Sequence, residues 1–373
     1  MQFKEILGQE EAKRQLIAEA NSGKIRHAQL FLGKLGHGNL PLALAYAQYV
    51  LCENKAATDS CGVCSSCKMA HNMAHPDLHF SFPVVQALEK KSDPFLPQFR
   101  KEVMQTGGYF SLNQWTNTID DKGRVPIIGA EESLEIIKKL SLKSFEGGHK
   151  IMIIWMASEM NTSCANKLLK IIEEPPAQTI FLLLCDSPDK LLATIVSRTQ
   201  MVKIPRLKME EITAALQQAF GKDLSTSKSI AGRAEGDWIE AIDLVGAHDE
   251  KDAHRDDFVD LMRSCYMKDV LKMIAWAERV AGETREYQKT FLRYTLHMFR
   301  MSILKNYTED QLLNVSDEEE AFLKKFAKFI TGNNITELMH SFDNAHYHIE
   351  RNANPKILFT EICFNVMRFI HAA

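Results

Sequence analysis

The sequence predicts an α/β fold: a parallel sheet covered by helices from residue 1 to about 205, followed by a wholly helical remainder. Two observations carry this. The apolar runs "AQLFL" (28–32), "KIMIIW" (150–155) and "TIFLLLC" (179–185) are continuous rather than alternating, as expected of strands buried on both faces. Around them apolar residues recur at helical spacing, and beyond about residue 250 that spacing continues to the end of the chain.

Taken in order, Glu10 to Ser22 reads as a helix with Leu16 and Ala20 on its buried face and Gly23 as its stop. The first apolar run leads into "GKLGHGNLPLALAYAQ", a glycine turn that opens an apolar helix. Residues 84–126, rich in Pro, Gly and aromatics and containing "DDKGR", lack a period and read as a large irregular loop. The stretch "NTSCANKLLKIIEE" (161–174) reads as a helix capped by Asn161 or Thr162 and closed by Pro175 and Pro176. Residues 206–247 form a short helical segment with two glycine breaks. From 250 to 373, Phe322, Phe326, Phe329 and Ile330 share one helix face, as do Ile335, Leu338, Met339 and Phe342, and later Leu358, Ile362, Val366 and Phe369. That region holds no catalytic cluster and reads as a packing or assembly module.

At 373 residues the chain can form two or three domains, each with its own core. A formal net charge of -3 supplies no general drive toward nucleic acid or an anionic membrane, so any such contact must come from a local patch or a partner. The apolar runs fall far short of the ~20 residues that cross a bilayer. The start, "MQFKEILGQEEAKRQL", is amphipathic and carries acids, unlike a signal or transit peptide, so a cytoplasmic location is expected.

The glycine turn has the outline of a phosphate-binding loop, with Gly33, Gly36 and Gly38 between a strand and a helix. Such a loop needs a lysine for the β and γ phosphates, then a Ser or Thr for Mg²⁺. Asn39 and Leu40 stand there instead, and Lys34, inside the loop, is a poor substitute. Hydrolysis also needs an acid at the end of a nearby strand, where this chain has Trp155 and Met156. Two independent losses predict no ATP hydrolysis by this chain.

Cys52, Cys61, Cys64 and Cys67 lie within sixteen residues, in "CENKAATDSCGVCSSC". Four thiolates can close a tetrahedral Zn²⁺ site with no position left for water, so the site reads as structural. An iron–sulfur cluster or free core cysteines are the alternatives. His75, in "HPDLH", is read as a loop histidine because a closed site needs four donors only. Cys164, Cys185, Cys265 and Cys363 sit singly in helical or strand patterns and read as small buried apolar residues.

These features together resemble the AAA+ clamp-loader family of bacterial replication. The likeness is carried by "FKEILGQEEAKRQL", "HAQLFLGKLGHG", the four-cysteine loop followed by "HPDL", "MNTSCANKLLKIIEEPP", "TIFLLLCDSPDKLLATIVSRTQ" and "ERNANPKILF", from the first residues to about 360. It implies a degenerate AAA+ nucleotide-binding-like domain at 1–205 with an inserted zinc module at about 52–67, a helical lid at 206–247 and a helical collar at 250–373. The losses at Asn39, Leu40, Trp155 and Met156 select the branch of the family that does not hydrolyse ATP. The implied role is a subunit of a pentameric loader, within the DNA polymerase III assembly, that opens a ring-shaped sliding clamp and places it on primed DNA. The implied partners are ATPase subunits and a clamp-opening subunit, with clamp and DNA reached through the complex and no membrane.

The family's Ser-Arg-Cys motif corresponds to Ser197, Arg198 and Thr199. The resemblance assigns Arg198 to the ATP held by a neighbouring subunit, a task suited to a permanently charged, planar guanidinium. Active members carry an arginine in the lid where "AEGDWIEA" has Trp238, Ile239 and Glu240, which argues against nucleotide sensing here. The 84–126 segment is longer than the family usual. Two rival readings remain: a hydrolysing subunit with unusual residues, and a zinc-containing nucleic-acid-binding protein outside replication. Mild net acidity stands against the second.

Overall fold

A computed structural model of the chain describes residues 1–120, 122–145, 147–246, 251–307, 317–351 and 353–371. They divide into two compact units: Met1–Lys222 with Ala234–Glu240, and Asp223–Arg233 with Ala241–Ala373. The first is built on five parallel strands: β1 (Ala28–Leu32), β2 (Leu78–Ser81), β3 (Lys150–Ile154), β4 (Thr179–Cys185) and β5 (Gln200–Lys203). Their order across the sheet is β2-β3-β4-β1-β5. Its helices are α1 (Glu10–Asn21), α2 (Asn39–Leu51), α3 (Ser65–His71), α4 (Leu96–Thr106), α5 (Leu112–Ile119), α6 (Ala130–Ser141), α7 (Thr162–Glu173), α8 (Ala193–Val196) and α9 (Met209–Phe220).

Continuous apolar strands give this sheet two cores, because successive side chains point to opposite faces. Phe31, Ile151, Ile153, Leu182 and Leu184 join Leu16 of α1 and the apolar side of α2 on one face. Leu30, Met152, Ile154, Phe181 and Leu183 join Ile136 of α6 and Leu168 and Ile172 of α7 on the other. The strands expected at 28–32, 150–155 and 179–185 are therefore present, and β2 and β5 are additional. Helix α7 starts at an Asn161 cap, whose side chain accepts the Cys164 N–H at 2.8 Å.

The reading of 84–126 as a large irregular loop is corrected by α4 and α5. Pro97 sits in the first turn of α4, where a missing N–H costs nothing, and Gly107 ends it in the left-handed conformation (φ 64°). Ser111 and Gln114 close a capping box at the start of α5. Buried aromatics bind the segment to the sheet: Phe99 stacks on Phe82 at 4.2 Å, and Trp115 meets Phe82 edge-on at 5.1 Å. The signal missed in the sequence is that Phe99, Val103, Trp115 and Thr116, the buried residues of these two helices, are too few and too short in span to give a long period.

The second unit is helical: α10 (Leu224–Ala234) for most of its length, most of α11 (Trp238–Gly246), α12 (Lys251–Tyr266), α13 (Val270–Ala281), α14 (Arg285–Tyr307), α15 (Asp317–Phe326), α16 (Ile335–Glu350) and α17 (Pro355–His371). Phe326, Ile330, Leu338, Phe342, Leu358, Ile362 and Val366 share one core with Phe258, Trp276 and Phe291. Phe322, Phe329, Ile335, Met339 and Phe369 pack against it half-buried.

Candidate functional site

Three arrangements position functional side chains, all of them in the sheet-containing unit. The first lies between α2 and α3. Cys52 follows the end of α2, Cys61 and Cys64 flank a tight turn at Gly62 (φ 72°), and Cys67 lies in the first turn of α3. The four Sγ atoms all lie within 4.8 Å of one another, and those of Cys61 and Cys67 are 3.8 Å apart. A tetrahedron with metal–sulfur bonds of about 2.3 Å has edges of about 3.8 Å, so the donor set fits a four-thiolate ion site. Backbone N–H groups already point at the sulfurs: Cys61 N at Cys52 Sγ, Cys64 N at Cys61 Sγ, and Cys67 N at Cys64 Sγ, at 3.3, 3.3 and 3.4 Å. N–H groups of Val63 and Cys64 bring the Cys61 thiol down to about 6, whereas burial pushes that of Cys67 up.

His75 lies outside this group. It is buried, its Nδ1 accepts the Asp77 N–H at 3.1 Å, and its Nε2 lies 3.3 Å from Ser66 Oγ. Asp77, also buried, accepts from Phe145 N at 2.8 Å and Ser144 Oγ at 3.0 Å. The "HPDL" stretch is thus a structural joint. Cys164, Cys185, Cys265 and Cys363 are buried.

The second arrangement is the glycine loop after β1, and it is filled. Asn39 and Leu40 are both 1% exposed. The Asn39 amide is used within the loop: Nδ2 donates to Gly33 O at 3.0 Å, and Oδ1 accepts the Leu40 N–H at 2.7 Å. Leu35–His37 forms a turn of 3-10 helix, whose His37 carbonyl accepts from Gln9 Nε2 at 3.0 Å; the same nitrogen donates to Pro205 O at 2.7 Å. A Cβ on Gly33 would lie 2.5 Å from Ile204 O, and one on Gly36 would collide with the Asp237 carboxylate. Both glycines are required for close approach by other parts of the chain. At the end of β3, Trp155 is 1% exposed and lies 4.9 Å from Phe110 and 5.5 Å from Phe99, so the strand end bears an aromatic cluster and no carboxylate.

The third is the turn from α8 into β5. Ser197, Arg198 and Thr199 continue the helical bonding of α8, their N–H groups reaching Ala193 O, Ile195 O and Val196 O. Arg198 Nε donates to Glu173 Oε2 at 2.9 Å, and Nη1 to Thr194 O at 3.1 Å. The pair is open to solvent, with 34% of the Arg198 side chain and 54% of that of Glu173 accessible. Strand β5 runs parallel to β1 with Gln200 beside Gln29 and Lys203 beside Leu32. Arg198 therefore stands at the amino end of the sheet and the glycine loop at its carboxyl end, roughly 20 Å apart by strand rise.

With this geometry, the chain's likeness to known proteins is informative. The family described as DNA polymerase III, delta subunit, matches residues 8–208. The chain belongs to that family. A DNA polymerase III subunit delta' from Yersinia pestis is 30% identical over 185 residues, 50% of this chain and 43% of that protein. That of Escherichia coli K12 is 28% identical over 186 residues, 50% of this chain and 44% of its own length. Subunit tau of Salmonella typhimurium is 26% identical over 221 residues, 59% of this chain and 28% of that protein. The matched stretch spans less than half the length of each of these relatives.

The four cysteines come together in one loop, the three glycines stand in a loop that other parts of the chain fill, and Arg198 belongs to neither. Gln9, Tyr109 and Asp237 escaped sequence reasoning. They reach the loop from distant parts of the chain, Gln9 at His37, Tyr109 at Gly38 and Asp237 at Gly36, and no local pattern marks them.

Proposed function

We propose that this chain is a non-hydrolysing subunit of the DNA polymerase III clamp loader, in the role of the delta' relatives. Its chemical contribution is Arg198, supplied in trans to ATP on an adjacent subunit. Its mechanical contribution is a rigid platform against which the ATPase and clamp-opening subunits act on the sliding clamp and primed DNA. The observation that carries the reading is the position of Arg198. It lies at the opposite end of the sheet from its own glycine loop, so it cannot reach a phosphate held there, yet it is accessible to a neighbour. Its ion pair with Glu173 is exposed and worth about 0–1 kcal/mol, readily exchanged for a phosphate.

Absence of hydrolysis is supported by Asn39, Leu40 and Trp155, which supply neither the ammonium, the hydroxyl nor the carboxylate that the reaction needs. Cys52, Cys61, Cys64 and Cys67 would hold Zn²⁺ as a structural ion, since four thiolates leave no position for water. Residues 206–247 would serve as a lid and 250–373 as the collar through which subunits assemble. A cytoplasmic location accords with this role; among the described residues no helix is long and apolar enough to cross a membrane.

The test is reconstitution with cognate ATPase subunits, comparing wild type, Arg198→Ala and Arg198→Lys. Assembly persists in all three. Clamp- and DNA-stimulated ATP turnover falls by roughly tenfold or more in both variants, because an ammonium lacks the planar fork. Unchanged turnover would remove Arg198 from the mechanism, and magnesium-dependent turnover by the isolated wild-type chain would overturn the non-hydrolysing reading.

A further inference from the structure

In open α/β sheets ligands enter the crevice beyond the carboxyl ends of the strands. In this chain two internal groups lie against the glycine loop that borders that crevice. Following α4, Gly107 and Gly108 adopt positive φ (64° and 82°) and turn the backbone against the start of α2, where a Cβ on Gly108 would lie 3.2 Å from Pro41 Cγ. The turn leads into Tyr109 and Phe110, which meet different partners. Tyr109 lies against the loop: a Cβ on Gly38 would be 3.0 Å from its Oη and 3.3 Å from Cε1, and the residue is only 8% exposed. Phe110, 1% exposed, packs on Trp155 at the end of β3. A second group is Asp237, whose Oδ1 accepts the N–H groups of Ile239 and Glu240 at 3.0 and 3.2 Å and lies against Gly36.

We propose that Tyr109 and Asp237 form a built-in occupant of the nucleotide crevice, Tyr109 covering Gly38 and Asp237 covering Gly36, so that nucleotide is excluded by occupancy as well as by the lost lysine and hydroxyl. The inference rests on the non-hydrolysing reading above and deepens it. A carboxylate over the glycine loop opposes any phosphate by charge, and a phenol packed on Gly38 opposes it by volume. The 84–126 segment thereby gains a role: it carries the stopper and anchors it through Phe99, Phe110 and Trp115 to Phe82 and Trp155. Restoring the missing loop chemistry alone would leave the crevice shut.

The experiment uses the full chain and equilibrium binding of a fluorescent ADP with magnesium. Four proteins are compared: wild type, a restored loop (Asn39→Lys with Leu40→Thr), an emptied crevice (Tyr109→Ala with Asp237→Ser, serine retaining the helix cap), and all four substitutions together. Wild type and the restored loop show no saturable binding, and the fourfold variant binds at least about tenfold more tightly than either pair alone. Equal binding by the restored loop and the fourfold variant would overturn the proposal, as would a cooperatively folded fourfold variant that does not bind. Binding without turnover by wild type sinks the occupancy idea alone, whereas turnover by wild type sinks the underlying functional reading. Because the fourfold variant could misfold, Tyr109→Ala is also melted by itself. It loses about 6 °C or more, part of which millimolar 4-methylphenol restores by refilling the space. An unchanged melting temperature would mean that Tyr109 fills nothing.

Discussion

His254 shows how one buried ring ties stability to pH. It is 1% exposed, its Nε2 lies 3.2 Å from Thr290 Oγ1, and its ring lies 4.5 Å from that of Tyr287. Burial, then the nearby Arg233 cation, lowers its pKa to about 4, against the opposing pull of Asp257 and the Tyr287 backbone. The folded chain thus holds the ring neutral while the unfolded chain protonates it near 6.5. Its contribution is complete above about pH 6.5 and is lost as pH falls toward 4, on the order of 3 kcal/mol in all. The melting-temperature gap between wild type and His254→Gln should therefore narrow steadily from pH 7 to pH 4.5. A gap independent of pH would contradict a ring held neutral. At the same scale, Asn39 is more than a lost lysine: its amide bonds Gly33 and Leu40 and stabilises the loop in its closed form.

At the scale of elements, the connection from α2 to α3 brings four cysteines together, a donor set that could hold a metal ion. Residues 53–58 of that connection are exposed and contribute nothing to a core. Cys64 serves twice, as a candidate ligand and as the cap of α3, where its sulfur accepts the Cys67 N–H. The start of the chain leans on the same loop: Asp59 accepts from Phe3 N at 3.0 Å and Lys4 N at 3.1 Å, and Gln2 Nε2 donates to Ser60 O at 2.6 Å. Stripping the metal should loosen both the loop and the N-terminal turn. We expect purified protein to carry stoichiometric zinc by mass spectrometry, and chelation to lower the melting temperature of the sheet-containing unit by roughly 5 °C or more. Full zinc retention by Cys61→Ser would count against the four-thiolate assignment.

At the scale of the whole molecule, the two units have separate cores. The sheet is packed on both faces by its own helices, and the helical unit is centred on Phe258, Trp276, Phe291 and Phe342. Separate cores unfold as separate cooperative units, so calorimetry should resolve two transitions. Chelation should displace one alone, whereas acidification through the His254 range should displace both, because burial also lowers the His79 pKa to about 4 in the sheet-containing unit. A single transition displaced equally by both treatments would show the units to be energetically inseparable.

The sequence by itself determined what depends on neighbours along the chain. β1, β3 and β4 are continuous apolar runs, the cysteines cluster within one loop, and Asn161, Pro175 and Pro176 punctuate α7. Arg198 was found through a stretch whose likeness to a family is local in the same sense. β2 was hidden because it is four residues long and interrupted by His79, and β5 because three of its four residues are exposed on the sheet edge. Only the tertiary structure decided the state of the glycine loop. Its three glycines suggest an open cradle, but Gln9, Tyr109, Ile204 and Asp237, brought in from four other segments, close it. Close packing between distant segments leaves no periodic trace in sequence, so the vacancy or occupancy of a crevice is decided only where the chain meets itself.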